Sequence, residues 1–461
     1  MSTRKFSSLK LNTALLANLD TLGYTEMTQI QAQSLPLILV GKDVIGQGKT
    51  GSGKTAAFGL GLLEKLAVKR FRVQSLVICP TRELADQVAK EIRRLARSVQ
   101  NIKVTTLCGG MPFGPQIGSL ERGSHIIVGT PGRLDEHIRK GTLKLDEVTT
   151  LVLDEADRML EMGFQEVLDQ IIAMLPAKRQ TLLFSATYPG EIQAIAQRIM
   201  VQPEMVQTLS THDESTIAQR FYKVDDNRQR LQVLRLLLLE QRPQSAIVFC
   251  NTKRETQEVT DALKGYGFSA LALHGDLDQK DRTQSLACFS NKSVSILVAT
   301  DVAARGLDIE SLDAVYNYQI ARDQEVHTHR IGRTGRAGSK GIACSLFSEQ
   351  EVHKVLKLDG DIDPLHDCLP IPPASLLDRT PEQPAMTTLQ IDGGKKQKLR
   401  PGDILGALTG ERGIQGKQVG KISIQENYAY VAVERSVYKE ALSIIGKGSL
   451  KGRSFRVRHI S

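Results

Sequence analysis

The chain lacks any apolar run long enough to cross a bilayer. One of its longest, Leu234 to Leu239, is short and interrupted by Arg235, whereas a helical span needs about 20 apolar residues. No membrane partner is therefore expected. The first residues, Met1-Ser2-Thr3-Arg4-Lys5-Phe6, lack the apolar centre of a secretory leader. Cysteines are few and scattered, at 79, 108, 250, 288, 344 and 368, with no C-x-x-C spacing. Several fall inside apolar, strand-like segments, which reads as reduced core thiols in a cytoplasmic protein. Zinc-type Cys/His clusters are also missing. His327 and His329 stand two apart, but nothing nearby completes a ligand set.

What is present is ordinary in bulk and uneven in charge. The 461 residues suffice for two or three domains with full cores, and 41% hydrophobic with 24% charged residues suits a globular protein. The net charge is +9. Residues 386–461 hold 14 Lys and Arg against 6 Asp and Glu, a net of +8, which leaves only +1 for everything before them. A small basic domain points to a polyanionic partner, most simply nucleic acid. A solubilising tail is the alternative, but this segment has apolar periodicity and is not of low complexity.

Residues 30–205 alternate short apolar runs with helical stretches, and strands are expected at 43–45, 75–79, 104–107, 125–128, 150–153 and 181–185. This alternation predicts a doubly wound parallel sheet. After the polar stretch 210–216 it resumes, with strands expected at 245–250, 270–273, 295–299, 314–318 and 342–346. A proline-rich break follows, with Pro370, Pro372, Pro373, Pro381 and Pro384. The remainder predicts strand 387–391, helix 401–409, strands 419–425 and 429–434, helix 437–445 and strand 454–460. That βαββαβ order is the pattern of ferredoxin-like and RNA-recognition folds. The domain limits so read are 1–208, 209–368, a linker at 369–385, and 386–461.

Two strand ends carry the chemistry. Gly48-Lys49-Thr50-Gly51-Ser52-Gly53-Lys54-Thr55 is a G-x-x-x-x-G-K-T loop between an apolar segment and a helical one. Gly48, Gly51, Ser52 and Gly53 let backbone N–H groups turn inward around phosphate at a helix N-terminus. Lys54 would reach the terminal phosphates, and the Thr55 hydroxyl would coordinate Mg²⁺. Downstream, Leu151-Val152-Leu153 runs into Asp154-Glu155-Ala156-Asp157. It reads as a buried strand delivering carboxylates to the sheet edge where nucleotides bind. Asp154 would hold Mg²⁺ and Glu155 would polarise an attacking water. Singly, these stretches could be a flexible loop and an acidic turn; together they define a nucleoside triphosphate site.

Further signatures follow in order. Gln29-Ile30-Gln31 lies after Gly23-Tyr24, and Pro80-Thr81-Arg82-Glu83-Leu84, Thr130-Pro131-Gly132-Arg133 and Ser185-Ala186-Thr187 each end a strand. The second half holds His274-Gly275-Asp276, Gln279, Arg282, the stretch from Asp301 through Arg305 to Asp308, and His329-Arg330-Ile331-Gly332-Arg333-Thr334-Gly335-Arg336. Together these resemble the DEAD-box family of ATP-dependent RNA helicases over roughly residues 1–360. The resemblance implies two RecA-like domains and a cofactor pair of ATP and Mg²⁺. Gln31 would read adenine, Phe6 would stack on it and Asp308 would touch the ribose. Arg333 and Arg336 resemble arginine fingers for the transferring phosphoryl group. Ser185 and Thr187 would link nucleotide state to domain closure.

RNA contacts are implied at Thr81, Arg82, Gly110, Thr130 and Arg133, and at Thr252, Gly275, Gln279, Arg282, Thr300 and Gly306. Such hydroxyls, arginines and backbone amides position a strand without reading its sequence. Met27 and Gln29 replace prolines common in the family, and Gly48 replaces a usual alanine. Neither departure removes a functional group.

The C-terminal segment departs more. At the expected aromatic site it offers Tyr428-Ala429-Tyr430-Val431-Ala432-Val433, without the glycine-aromatic pattern of RNA-recognition folds. RNA contact is assigned instead to basic residues, chiefly Lys395, Lys396, Lys398, Arg400 and Arg453, with Lys417, Lys451, Arg456 and Arg458 beside them. A DEAD-box core with such a tail resembles the bacterial DbpA subfamily. That implies docking on a hairpin of large-subunit (23S) ribosomal RNA in pre-ribosomal particles during 50S assembly, by a monomer. An ATP-gated RNA clamp that separates no strands, or a DNA translocase, stays open as an alternative.

Overall fold

The computed structural model describes residues 5–48, 51–208, 217–304, 312–335, 341–358, 367–410 and 413–460. The chain divides near residue 211 into two compact units. No helix among the described residues is long and apolar enough to cross a membrane.

The first unit holds strands β1 (Val44–Gln47), β2 (Ser75–Ile78), β3 (Val104–Leu107), β4 (Ile126–Gly129), β5 (Thr150–Asp154), β6 (Gln180–Ser185) and β7 (Glu204–Gln207). They form one parallel sheet in the order β3-β4-β2-β5-β6-β1-β7. Parallel strands need crossover helices on both faces, so both faces must be apolar. The sequence supplies this with near-continuous runs. Val152 enters the core on one face with Val44, Val77 and Leu182, while Leu151 and Leu153 enter the other with Ile45, Leu76 and Leu183. β7 is a short edge strand that the sequence pattern did not show.

The second unit carries β8 (Ile217–Lys223), β9 (Ala246–Cys250), β10 (Ala270–Leu273), β11 (Ile296–Thr300), β12 (Ala314–Asn317) and β13 (Gly341–Phe347). Their order is β10-β11-β9-β12-β13-β8, again with every pair parallel. β8 too was not expected. The proline-rich stretch lies along this lobe: Leu376 is buried in its core, Arg242 pairs with Glu382 at 2.7 Å, and Gln383 Nε2 donates to the Gly267 carbonyl at 2.9 Å.

The same unit ends in β14 (Met386–Ile391), β15 (Val419–Ile424), β16 (Ala429–Glu434) and β17 (Val457–Ile460), an antiparallel sheet ordered β15-β16-β14-β17. The helices Pro401–Leu408 and Tyr438–Lys447 complete the βαββαβ order. Leu389, Ile391, Val431 and Val433 pack beneath these helices with Ile404, Leu408 and Ile445. The opposite face is covered as well. Tyr430 and Ile460 cluster with Ala287, Cys288 and Val294 of the second lobe. Thr388 Oγ1 accepts from Asn291 Nδ2 at 3.1 Å and lies 2.6 Å from Ser293 Oγ.

Candidate active site and nucleic-acid interface

Gly48 follows β1, and its N–H donates to the Ser185 carbonyl at 3.0 Å, tying the phosphate loop to the end of β6. Lys54 opens the helix Lys54–Glu64, is buried, and donates from Nζ to the Gly48 carbonyl. Gly53 just before it has φ +92°, and a Cβ there would lie 2.4 Å from Gln31 Nε2. Backbone conformation and space therefore both require glycine. Gln31 is itself buried; its Oε1 accepts from Thr28 N–H at 2.9 Å and its Nε2 donates to the Gly53 carbonyl at 3.1 Å. Gly51 also has positive φ, and Thr55 is half-buried on the first turn of the helix. Phe6 is buried in the first unit's core, edge-on to Tyr24 with centroids 6.0 Å apart.

Register sets the carboxylates beside this loop. Gln47 pairs with Ser185, and Asp154 pairs with Phe184, so the ends of β1 and β5 flank β6 at one level. Asp154 is buried, which pushes its carboxyl up to about 7 against the opposing charge of Lys54; nearby Glu155 adds to the rise. Glu155 has φ +52° and so stands in the left-handed region despite carrying a side chain. This conformation costs on the order of 1 kcal/mol and is typical of functional turns. Asp157 turns back to β6. Its Oδ2 accepts from Ala186 N–H at 3.1 Å, and its own N–H donates to Ser185 Oγ at 3.3 Å.

These residues fit a nucleotide with a hard cation. Asp154 and Thr55 offer only oxygen, the chemistry that suits Mg²⁺. Burial makes an ionised Asp154 costly until positive charge stands beside it. Ser52 Oγ is buried with no hydrogen-bond partner among the described residues, an acceptor and donor available to phosphate.

The same sheet edge gathers the expected RNA residues of the first unit. β3, β4 and β2 are neighbours. Thr81 caps the helix Arg82–Leu95 by accepting from Leu84 N–H at 3.3 Å, and Thr130 precedes the helix Pro131–Arg139. The Arg82 guanidinium lies against Gly110, which has φ +72°; a Cβ there would be 1.8 Å from Nη1. Arg133 Nη1 reaches the Met111 carbonyl at 3.0 Å.

In the second unit Thr252 follows β9, Gly275 follows β10 and Thr300 ends β11, three adjacent strands. Gln279 begins the helix Gln279–Ser290, from which Arg282 Nη1 reaches the His274 carbonyl at 3.5 Å. Arg333 is 6% exposed, and its N–H donates to the Arg330 carbonyl at 3.2 Å. Gly306, Asp308 and Arg336 lie outside the described residues. Sequence reasoning gave no role to Arg330 and Asp301. Arg330 is 1% exposed and donates to both Asp301 oxygens, at 2.6 and 2.8 Å, to Asn251 Oδ1 at 2.7 Å and to the Gln319 carbonyl at 2.7 Å. It therefore ties together segments following β9, β11 and β12. Both residues sit inside quoted motifs, but nothing in the sequence pairs them.

On the C-terminal module, Lys395, Lys396, Lys398, Arg400 and Arg453 are exposed. Lys395 and Lys396 N–H groups donate to the Gln425 and Glu426 carbonyls at 2.8 and 3.0 Å, and Lys451 Nζ donates to the Lys398 carbonyl at 2.7 Å. One basic edge results. Tyr430, on the sheet face covered by the second lobe, is 1% exposed and cannot offer its ring to a base. Arg458 Nε is likewise buried, and no partner for it is found among the described residues.

Residues 28–195 match the DEAD/DEAH box helicase family, 226–338 the helicase conserved C-terminal domain, and 388–459 the DbpA RNA binding domain. The chain is 52% identical to the ATP-dependent RNA helicase DbpA of Escherichia coli (strain K12), covering 98% of this chain and 99% of that protein. It is 46% identical to the DEAD-box ATP-dependent RNA helicase CshA of Geobacillus kaustophilus, covering 75% and 74%. Among solved structures, S. cerevisiae Dbp5 bound to RNA and ADP BeF3 aligns with TM-score 0.68 at 29% identity, covering 78% of this chain and 94% of that one. The chain belongs to the DEAD-box ATP-dependent RNA helicases, with two RecA-like domains. Within that family it is of the DbpA type, the small antiparallel domain being its RNA-binding module.

Proposed function

We propose that this helicase acts on large-subunit ribosomal RNA, docking on a hairpin through its C-terminal basic edge during 50S assembly. The observation that carries this reading is the division of the C-terminal module's surface. Its sheet face is buried against the second lobe, while Lys395, Lys396, Lys398, Arg400 and Arg453 remain exposed. Phosphate-directed side chains on two loops suit a folded hairpin better than a splayed single strand. The functional segments are taken as 1–208, 209–368, 369–385 and 386–461, working as a cytoplasmic monomer.

In the core, Thr55 and Asp154 would hold Mg²⁺, which when bound neutralises phosphate charge. Lys54 binds phosphate, Gln31 selects the base and Glu155 orients water. Arg333 and Arg336 supply positive charge to the transferring phosphoryl group. Thr81, Arg82, Gly110, Thr130, Arg133, Thr252, Gly275, Gln279, Arg282, Thr300 and Gly306 grip the RNA backbone. The strand ends of the first unit support this by placing Asp154 and Glu155 beside the loop of Lys54. In the Glu155→Gln variant, ATP binding is retained and RNA-stimulated hydrolysis falls by about a hundredfold or more. Hydrolysis at the parent rate in that variant refutes the role. Strand displacement of a short duplex beside the rRNA hairpin, with and without hydrolysable ATP, separates a helicase from a clamp.

A further inference from the structure

Two of the proposed RNA-contacting turns meet over one buried amide. Gln116, on the helix Phe113–Glu121, is 7% exposed. Its Nε2 donates to the Cys108 carbonyl at 3.0 Å, just before Gly109-Gly110. Its Oε1 accepts from Arg133 Nη1 and from His137 Nε2, both at 3.0 Å. That same Arg133 nitrogen donates to the Met111 carbonyl at 3.0 Å. The turn after β3 and the helix after β4 are thus joined through a single side chain.

Donor and acceptor logic leaves one arrangement. A guanidinium only donates, so Arg133 fixes which end of Gln116 is oxygen. That oxygen requires a hydrogen on His137 Nε2, so the Nδ1 of the neutral ring accepts from the Thr142 hydroxyl at 2.8 Å, sharing its hydrogen with the His137 carbonyl at 3.1 Å. Burial, with the charge of Arg133, lowers His137 to about 4 and keeps it neutral in this role. Phe113 closes the network by stacking on His137 with centroids 4.1 Å apart. Above it, Gly110 and Met111 are exposed. A carboxylate at 116 would face the Cys108 carbonyl without a proton, and an aliphatic side chain would take away the bonds to the Cys108 carbonyl and His137 Nε2, at a cost of about 1–3 kcal/mol each, and leave Arg133 Nη1 with only the Met111 carbonyl.

We propose that Gln116 is a positioning residue for RNA engagement. It locks the Gly109–Met111 turn to the Thr130–Arg133 turn, so that both present their groups to one strand in a fixed register. The proposal rests on the reading of Gly110, Thr130 and Arg133 as RNA contacts.

The test uses the full chain carrying Gln116→Leu, Gln116→Glu or, in parallel, Arg133→Ala. The readouts are the RNA concentration giving half-maximal ATPase, the maximal rate, and the affinity for a fluorescent ATP analogue. Gln116→Leu should raise the half-stimulating RNA concentration about tenfold, with maximal rate and nucleotide affinity within about threefold of the parent. Gln116→Glu keeps the bonds from Arg133 and His137 and should fall between. A folded Gln116→Leu protein with a half-stimulating concentration within about twofold of the parent overturns the proposal. So does a loss spread equally over nucleotide affinity and rate, which marks a merely structural role. If Gln116→Leu does not fold, Gln116→Glu decides, and parental behaviour overturns the proposal. Parental behaviour of Arg133→Ala overturns the RNA-contact reading itself; a defective Arg133→Ala beside a parental Gln116→Leu overturns only the inference.

Discussion

Asp157 Oδ2 accepts from both the N–H and the hydroxyl of Thr187, each at 3.0 Å. The last acid of the 154–157 tetrapeptide is therefore bound to the turn that follows β6. Burial alone would raise the Asp157 carboxyl. The Thr187 and Ser185 bonds and the charges of Lys54 and Arg158 outweigh it and hold the group below its usual range. Asp157→Ala strands several buried donors. It should destabilise the first unit by roughly 3 kcal/mol, measured by urea unfolding. Thr187→Val, which removes one hydroxyl, should cost about 1 kcal/mol by the same measurement. Equal stability of Asp157→Ala and the parent contradicts this account of the turn.

Arg330 is the corresponding knot of the second unit. Its bidentate pair with Asp301, completed by Asn251 and the Gln319 carbonyl, satisfies a buried charge. Removing one partner of such a pair leaves the other unpaired and costs about 3–5 kcal/mol. Arg330→Met should lower the unfolding midpoint of the second unit by that measure. Asp301→Asn, which keeps the shape and loses the charge, should cost less.

His327 gives the second unit an acid sensitivity. The ring is 4% exposed, its Nε2 lies 2.9 Å from Gln219 Oε1, and its Nδ1 is buried with no partner among the described residues. Burial, with the charge of Arg330, lowers it from 6.5 to about 4. In this window the unfolded chain takes up a proton that the folded one refuses. The stability is therefore fully present above about pH 6.5 and is lost as pH falls toward 4, by about 3 kcal/mol in all. His327→Gln cannot titrate, so its unfolding free energy should vary less between pH 6.5 and 4. An unchanged slope in that variant contradicts the assignment.

The placement of the core motifs was legible in the sequence because each element is local. A glycine loop between strand and helix, and an apolar run ending in Asp154-Glu155, are each recognisable over about ten residues. Both parallel sheets were legible from their buried apolar strands. β7 and β8 were not, since Met205 is exposed and β8 buries only Phe221 and Tyr222; edge strands lack the continuous apolar run that central ones need. The last strand starts at Val457 rather than 454. Gln116, Arg330 and Asp301 stayed hidden because their partners lie in the turns and helices that follow other strands, and only topology brings them together. The buried face around Thr388 and Tyr430 was hidden for a related reason: its alternating polar side chains look like a solvated surface until the second lobe covers them.

That covered face shapes how target choice should be tested. Removing residues 386–461 would expose Cys288 and Val294 of the second lobe, mixing loss of RNA contact with loss of packing. Reversing charge at the exposed edge avoids this. The decisive measurement is RNA-stimulated ATPase of the chain carrying Lys396→Glu and Arg453→Glu, titrated with a large-subunit rRNA hairpin fragment and with unrelated RNA. The account predicts that the half-stimulating concentration of the hairpin fragment rises about tenfold or more, while that of unrelated RNA and the maximal rate stay within about threefold. An undiminished preference for the hairpin in that variant would contradict the assignment of target choice to this edge.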